Sequence, residues 1–324
     1  MAAVLLLAAV LISLAVTMLV RFYARQHLLD IPNHRSSHQL PTPRGGGLGI
    51  VVAFYAVLLF LFFTDTIESN YFYAFLAGLP VAGIGFWDDH QPLAARWRLL
   101  VHICAAMLAV YILEGQSATL FSGVIAILSS LFFLVWSLNL FNFMDGIDGI
   151  AGSEAIFVFL SLASMMWFAN ENLALFGFYL GASSLGFLIL NWPSAKIFMG
   201  DIGSGFLGFT IALLILIYSQ FSSVFLPIGL IVYAVFIIDA TITLITRFLR
   251  GEKWYQAHCS HAYQHAAKKY GHLKVLLNIW AINIFWLMPI AIWIFINPAK
   301  GLFGVLVAYL PLIFLARHFK AGKD

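Results

Sequence analysis

Residues 130–152 read SLFFLVWSLNLFNFMDGIDGIAG. An apolar run stops at Asp145 and Asp148, each followed by glycine, and resumes from Ile150. The apolar residues before the stop belong to a stretch over 118–141, and those after it to a stretch over 150–169. Each is about the 20 residues needed to cross a bilayer as a helix. Asp-Gly favours a turn, while an i, i+3 spacing within a helix would put both carboxylates on one face. The pattern is that of a chain leaving a membrane, showing two acids to water, and going back in.

The rest of the chain supports that reading. Hydrophobic residues make up 62% of the 324 and charged residues 10%, with a mean hydropathy of +0.95. Soluble domains carry about 25% charged residues, so there is too little polar surface here to coat a soluble globule. Eleven apolar segments emerge, at about 2–20, 45–64, 70–87, 97–114, 118–141, 150–169, 172–190, 203–219, 222–246, 275–297 and 300–316. The first lacks a basic leader and a small-residue cleavage site, so it is read as a retained helix. The expected fold is an all-α polytopic membrane protein of about eleven transmembrane helices, forming a single integral membrane domain over 1–324.

Charge tests this topology independently. With the N-terminus outside and the C-terminus inside, 16 of the 17 basic residues face the cytoplasm and only Lys300 lies outside. The positive-inside rule expects that excess. Asp65, Glu68, Glu114 and Glu171 fall in short external loops, and the other ten acids lie at or near the cytoplasmic side. The working face is therefore expected to be cytoplasmic, built from loops at about 21–44, 88–96, 142–149, 191–202 and 247–274.

Five polar clusters share that face: DIPNHRSSHQLPTPRGGG (30–47), FWDDHQP (86–92), the Asn139–Asp148 stretch, NWPSAKIFMGDIGSG (191–205) and RFLRGEKWYQAHCSHAYQHAAKKY (247–270). Ionisable groups near the hydrocarbon boundary are costly and tend to be functional. Carboxylates with asparagine oxygens suit Mg²⁺ or Mn²⁺, which also bind substrate phosphates. Arginines, lysines and histidines suit phosphate oxygens. Together they point to chemistry on a diphosphate. Neither GxxxxGK[ST] nor GxGxxG occurs, so no P-loop or dinucleotide domain is supported. His258, Cys259, His261 and His265 lack the spacing common in structural zinc sites.

Five pieces in order, PTPRGGG, WDD, NFMDGIDGIAG, FMGDIGS and HCSHAYQ, resemble the polyprenyl-phosphate N-acetylhexosamine-1-phosphate transferase family over nearly the whole chain. The resemblance implies a bacterial cytoplasmic-membrane enzyme. It would move a sugar-1-phosphate from a UDP-N-acetylhexosamine, or a 6-deoxy relative, to undecaprenyl phosphate, releasing UMP. It also implies Mg²⁺, with Mn²⁺ as an alternative, and is compatible with a homodimer; no nucleic-acid partner is expected. Matched residue by residue, Asp88 and Asp89 correspond to the family's acidic pair, with Asp89 also a metal candidate beside the metal aspartate, Asp201. Asn142, Asp145, Asn191, His258 and His261 correspond to substrate-contacting positions, with Arg44, Arg247 and Arg250 as further phosphate contacts. Asp148 is expected to support its loop. HCSH replaces the three consecutive histidines of the peptidoglycan-precursor branch, so the chain looks more like enzymes that initiate O-antigen or related surface glycans. In many of those the loop reads HRSHAYQ, with arginine where this chain has Cys259. The alternative from another class is a polytopic transporter or flippase for a lipid-linked sugar. Such a protein would need polar groups through the bilayer depth, whereas acids here are almost absent from span centres.

Overall fold

The computed structural model describes residues 1–32, 40–114, 123–252 and 258–323. His34, Arg35 and His38 of the first polar cluster, and Lys253 of the last, lie outside the described residues. Helices occupy every apolar segment read from the sequence. In chain order these are α1 (Ala2–His27), α2 (Leu48–Phe63), α3 (Ser69–Leu76), α4 (Gly78–His90), α5 (Ala95–Glu114), α6 (Val124–Met144), α7 (Ile150–Trp167) and α8 (Glu171–Asn191). They continue with α9 (Asp201–Phe221), α10 (Phe225–Val232), α11 (Ala234–Leu249), α12 (Ala262–Tyr270), α13 (His272–Ile282), α14 (Met288–Ile296) and α15 (Gly301–His318). Among the described residues the sheet content is one two-residue ladder. In it β1 (Leu29–Asp30) pairs antiparallel with β2 (Thr42–Pro43), Leu29 opposite Pro43 and Asp30 opposite Thr42.

Eight helical segments are individually long and apolar enough to cross a bilayer, one of them the α13–α14 run joined by a π-helical turn over Asn283–Leu287. The segment read at 222–246 is a pair of helices, α10 and α11, that meet at Tyr233 with a 70° bend. The segment read at 70–87 is likewise divided, into α3 and α4 at Ala77. The outside of the bundle is lined with bare apolar side chains, among them Tyr111 (80% exposed), Ile125 (84%), Phe285 (78%) and Leu302 (77%). Soluble monomers do not leave large apolar areas uncovered. This is an all-α polytopic membrane protein with its apolar rim turned to lipid.

Helix α9 is the axis of the fold. It is apolar all round, and the whole of its spanning window is buried, as expected of a helix with no solvent face. It packs most extensively against α4 and α6, while α1, α7 and α8 form a second closely packed group. Its approach to α6 needs Gly208, because a Cβ there would sit 2.6 Å from the Ser137 carbonyl oxygen. Small residues of this kind let membrane helices close on one another. The consequence for the site is positional. The N-terminus of α9 is held next to the C-terminal ends of α4 and α6, so Asp201, Asp88, Asp89 and Asp145 meet at one end of the bundle.

Candidate active site

That end opens into a polar cavity of ≈ 220 Å³ walled by residues that include Asp89, Asn142, Asp145, Asp148, Asp201, Arg44 and Gln264 of α12. Its acids do different jobs. Asp89 is 2% exposed and sits across the first turn of α9. Its Oδ1 accepts from the Asp201 backbone N–H at 3.0 Å, and its Oδ2 from the Ile202 N–H at 3.2 Å. Helix N-termini leave such donors without intrahelical partners, and here a carboxylate from another helix satisfies two of them. Gly200 is the residue that allows it. Its φ of +77° is left-handed, and a Cβ would come within 2.5 Å of Asp89 Oδ2.

Asp88 points elsewhere. Its Oδ1 accepts from Leu93 N–H at 2.5 Å, and its Oδ2 accepts from Arg98 Nη1 at 2.8 Å. The same Arg98 nitrogen donates to Asp201 Oδ2 at 2.7 Å. Arg98, at the first turns of α5, thus bridges the acid pair of α4 to the leading acid of α9. The sequence reading placed it among the cytoplasmic cations and gave it no role. A contact across 103 positions has no local signature.

Asp145 caps the C-terminal end of α6, and the described residues form no hydrogen bond to its carboxylate. Burial, then the Asp201, Asp89 and Asp148 carboxylates, push its carboxyl well above the usual carboxylate range. Asp148 is tied into the wall, its Oδ2 accepting from Ala195 N–H at 3.1 Å and lying 3.5 Å from His272 Nδ1. Asn191 is a staple. Its Oδ1 accepts from Gly149 N–H at 3.0 Å and its Nδ2 donates to the Ile197 carbonyl at 2.9 Å. Asn142 accepts from the Ser204 hydroxyl at 3.0 Å, which joins α6 to α9 at the cavity wall. Arg44 donates through Nη2 to the Asp89 carbonyl, and its Nε lies 3.9 Å from Asp89 Oδ1. The 41–47 segment that carries it is clamped to the strip before α9 by Phe198 N–H to Pro43 O (2.8 Å) and Gly46 N–H to Phe198 O (2.9 Å).

The histidine segment stands beside the cavity, off its wall. His258 and His261 stack with ring centroids 4.9 Å apart, and the Phe143 ring, two residues before Asp145, lies 6.5 and 6.3 Å from them. Asp239 of α11 organises this segment as Asp89 organises α9. It accepts from the Ala262 and Tyr263 N–H groups, each at 2.9 Å, and lies 3.3 Å from His261 Nδ1. The Tyr263 hydroxyl then donates to the Phe143 carbonyl at 3.0 Å, tying α12 to the end of α6. Arg247 and Arg250 stay outside the cavity, held by Glu252 at 2.8 and 3.0 Å.

Crowded carboxylates around Asp145 make a cavity short of positive charge, which fits a cation. Among the described residues no three Asp, Glu, His or Cys side chains close around one point. That donor set does not suit an all-protein cage, but it suits an ion that takes one or two carboxylates and fills its other positions with water and substrate phosphate.

The chain is similar to known proteins over much of its length. The chain is 31% identical over 235 residues to the probable undecaprenyl-phosphate N-acetylglucosaminyl 1-phosphate transferase of Bacillus subtilis, covering 68% of this chain and 64% of that protein. It is 29% identical over 274 residues to the phospho-N-acetylmuramoyl-pentapeptide-transferase of Wolbachia pipientis, covering 75% and 81%. It is 30% identical over 227 residues to the undecaprenyl-phosphate alpha-N-acetylglucosaminyl 1-phosphate transferase of Escherichia coli, covering 63% and 60%. The match thus spans just under two thirds of the Bacillus and Escherichia proteins. A model of glycosyl transferase family 4 fits residues 71–219, the stretch that supplies Asp88, Asp89, Asp145, Asp148 and Asp201 to the cavity's end of the bundle.

Proposed function

We propose that the chain transfers a sugar-1-phosphate from a UDP-N-acetylhexosamine to undecaprenyl phosphate, releasing UMP, and so starts a lipid-linked surface glycan such as O-antigen. The protein is a single domain in the bacterial cytoplasmic membrane, with eleven spans, the N-terminus outside and the C-terminus in the cytoplasm. One observation carries the reading. Helix α12 separates two unlike cavities: Gln264 faces the polar one of ≈ 220 Å³, while Tyr263 and Ala266 line an apolar one of ≈ 370 Å³ with Asp239, Val275 and Leu312. A soluble diphosphate and a prenyl chain need such a pair of neighbours.

In this scheme Asp201, with Asp145 beside it, holds Mg²⁺. When bound, such an ion would supply positive charge to offset that of the diphosphate and of the departing UMP. Arg44 attracts and orients phosphate oxygens, and Asn142 with Asp145 meets the nucleotide. Asp88 accepts a proton from the lipid phosphate, whose oxygen forms a bond to the sugar-bearing phosphorus as the bond from that phosphorus to the UMP oxygen breaks. His258 and His261 steady the diphosphate from the α12 side. Asp89 serves by holding the first turn of α9, and with it Asp201, in place. The transport alternative finds no support in the apolar, fully buried α9 at the centre of the bundle.

Purified protein given undecaprenyl phosphate, Mg²⁺ and a panel of UDP-amino sugars should release UMP with one or two of them. Asp201→Asn should be folded and silent. Folded wild-type protein that releases no UMP from any donor sinks the proposal.

A further inference from the structure

Arg98 is the cation that links Asp88 to Asp201. One of its nitrogens donates to carboxylates of two different helices, Asp88 Oδ2 at 2.8 Å and Asp201 Oδ2 at 2.7 Å. The two oxygens can therefore be no farther apart than these two bonds laid end to end. Carboxylates that close repel unless a positive charge sits between them, and the guanidinium supplies it. Its side chain is 30% exposed, so it reaches the site from the rim with room to move.

We propose that Arg98 and the divalent ion exchange at Asp201. Without substrate, Arg98 neutralises Asp88 and Asp201 together. When an ion arrives with the diphosphate it takes Asp201 Oδ2, and Arg98 keeps Asp88 and turns toward phosphate oxygens, which guanidinium groups bind well. Asp201 cannot give the same oxygen fully to both cations, and a divalent ion also repels the guanidinium. Arg98 is thus a positioning residue that keeps bare-ion affinity low and links ion binding to the arrival of an anion. The absence of any closed three-donor cluster among the described residues accords with such a site, since the resting side chains are gathered on an arginine.

The inference rests on the transferase reading for the identity of the anion but not for the exchange itself. The test uses Mn²⁺ alone, titrated by electron paramagnetic resonance into purified protein with neither nucleotide nor lipid. Arg98→Gln removes the competing charge and should tighten Mn²⁺ binding roughly tenfold, equivalent to about 1.4 kcal/mol. Arg98→Lys keeps a monocation and should stay within about twofold of wild type. Asp201→Asn should lose the site in every background. Melting curves for each variant separate lost folding from altered binding. Unchanged or weaker binding in folded Arg98→Gln, or equal tightening in Arg98→Lys, overturns the exchange. A protein that releases no UMP but shows this Mn²⁺ pattern refutes the substrate assignment and leaves the exchange standing.

Discussion

Asp89→Ala separates an acid that builds the site from an acid that does chemistry in it. The Asp89 carboxylate is 2% exposed and takes two backbone donors at the start of α9, at 3.0 and 3.2 Å. Its removal leaves the Asp201 and Ile202 N–H groups unsatisfied, and each such buried donor costs about 1–3 kcal/mol. The ion pair with Arg44 at 3.9 Å also goes, though Arg44 is partly exposed and water screens most of that loss. Together these give about 3–5 kcal/mol of destabilisation, in line with breaking a buried charged interaction by removing one partner. For a chain of this size that is a fall in melting temperature of roughly 6 °C or more. Asp89→Asn keeps one acceptor but turns an amide N–H₂ toward the second donor, so it should lie between, at about 1–3 kcal/mol. Asp88→Asn should melt closer to wild type, since one partner of Asp88 is an arginine 30% exposed, yet lose UMP release. Melting in a fixed detergent at a fixed scan rate, with turnover normalised to folded protein, reads both quantities. Asp89→Ala protein that melts with wild type while turnover collapses would refute the capping role and return Asp89 to the metal or the chemistry.

Gly200→Ala puts a methyl into the Asp89 carboxylate at a backbone φ of +77°; it should cost about 2 kcal/mol or more and cut UMP release more than tenfold by displacing Asp201. Asp145 has a carboxyl raised by burial and by its acidic neighbours, so its contribution to stability is present at low pH and is lost as pH rises through that raised value. Asp145→Asn should therefore raise the melting temperature of metal-free protein at pH 8, with the gain fading as pH falls toward the ordinary carboxylate range; a constant gain across pH refutes the crowding argument. Asp239→Ala removes acceptors for the Ala262 and Tyr263 N–H groups, and hydrogen exchange at the start of α12 should speed up at least tenfold, while unchanged exchange would show that α12 is held by other contacts.

The helices were legible because a bilayer asks only for length and apolarity, and eight helical segments meet that demand individually. Breaks inside them were not. The 70° bend at Tyr233 comes with no breaker in VYAV, while the division of α3 from α4 at Ala77 precedes Gly78 and Pro80, which puts proline in the first turn of α4 where a helix tolerates it. Helix α12 had a readable sign. The HAYQ run places glutamine three residues after His261, and Gln264 Oε1 accepts from the His261 N–H at 3.2 Å, the return half of a capping box. The gathering of acids at one membrane face was also legible, whereas their division of labour was not. Asp88 and Asp89 are adjacent letters, yet one faces Arg98 and the other the first turn of α9. Asn191 matched a substrate position, yet it staples Gly149 to Ile197. Arg247 and Arg250, expected at phosphate, are engaged by Glu252.

The same solution appears twice in the molecule, and it explains why so apolar a chain tolerates so many acids at one face. Asp89 of α4 caps α9, and Asp239 of α11 caps α12, each accepting two backbone N–H groups from a helix not its own. A carboxylate at a membrane boundary loses hydration, and a foreign helix N-terminus returns both hydrogen bonds and a favourable dipole. The two helices positioned this way carry Asp201 and Gln264, both of which line the polar cavity. Capping thus fixes the cavity, with one capping acid, Asp89, in its wall and the other, Asp239, outside it. Of the five acids at 88, 89, 145, 148 and 201, Asp89 caps a helix and Asp148 braces a loop, leaving Asp88, Asp145 and Asp201, of which the last two line the cavity. Two of these share one arginine nitrogen, and the third takes no hydrogen bond from the described residues. A site left short of positive charge by its own architecture will draw a cation and a phosphate in together more readily than either alone.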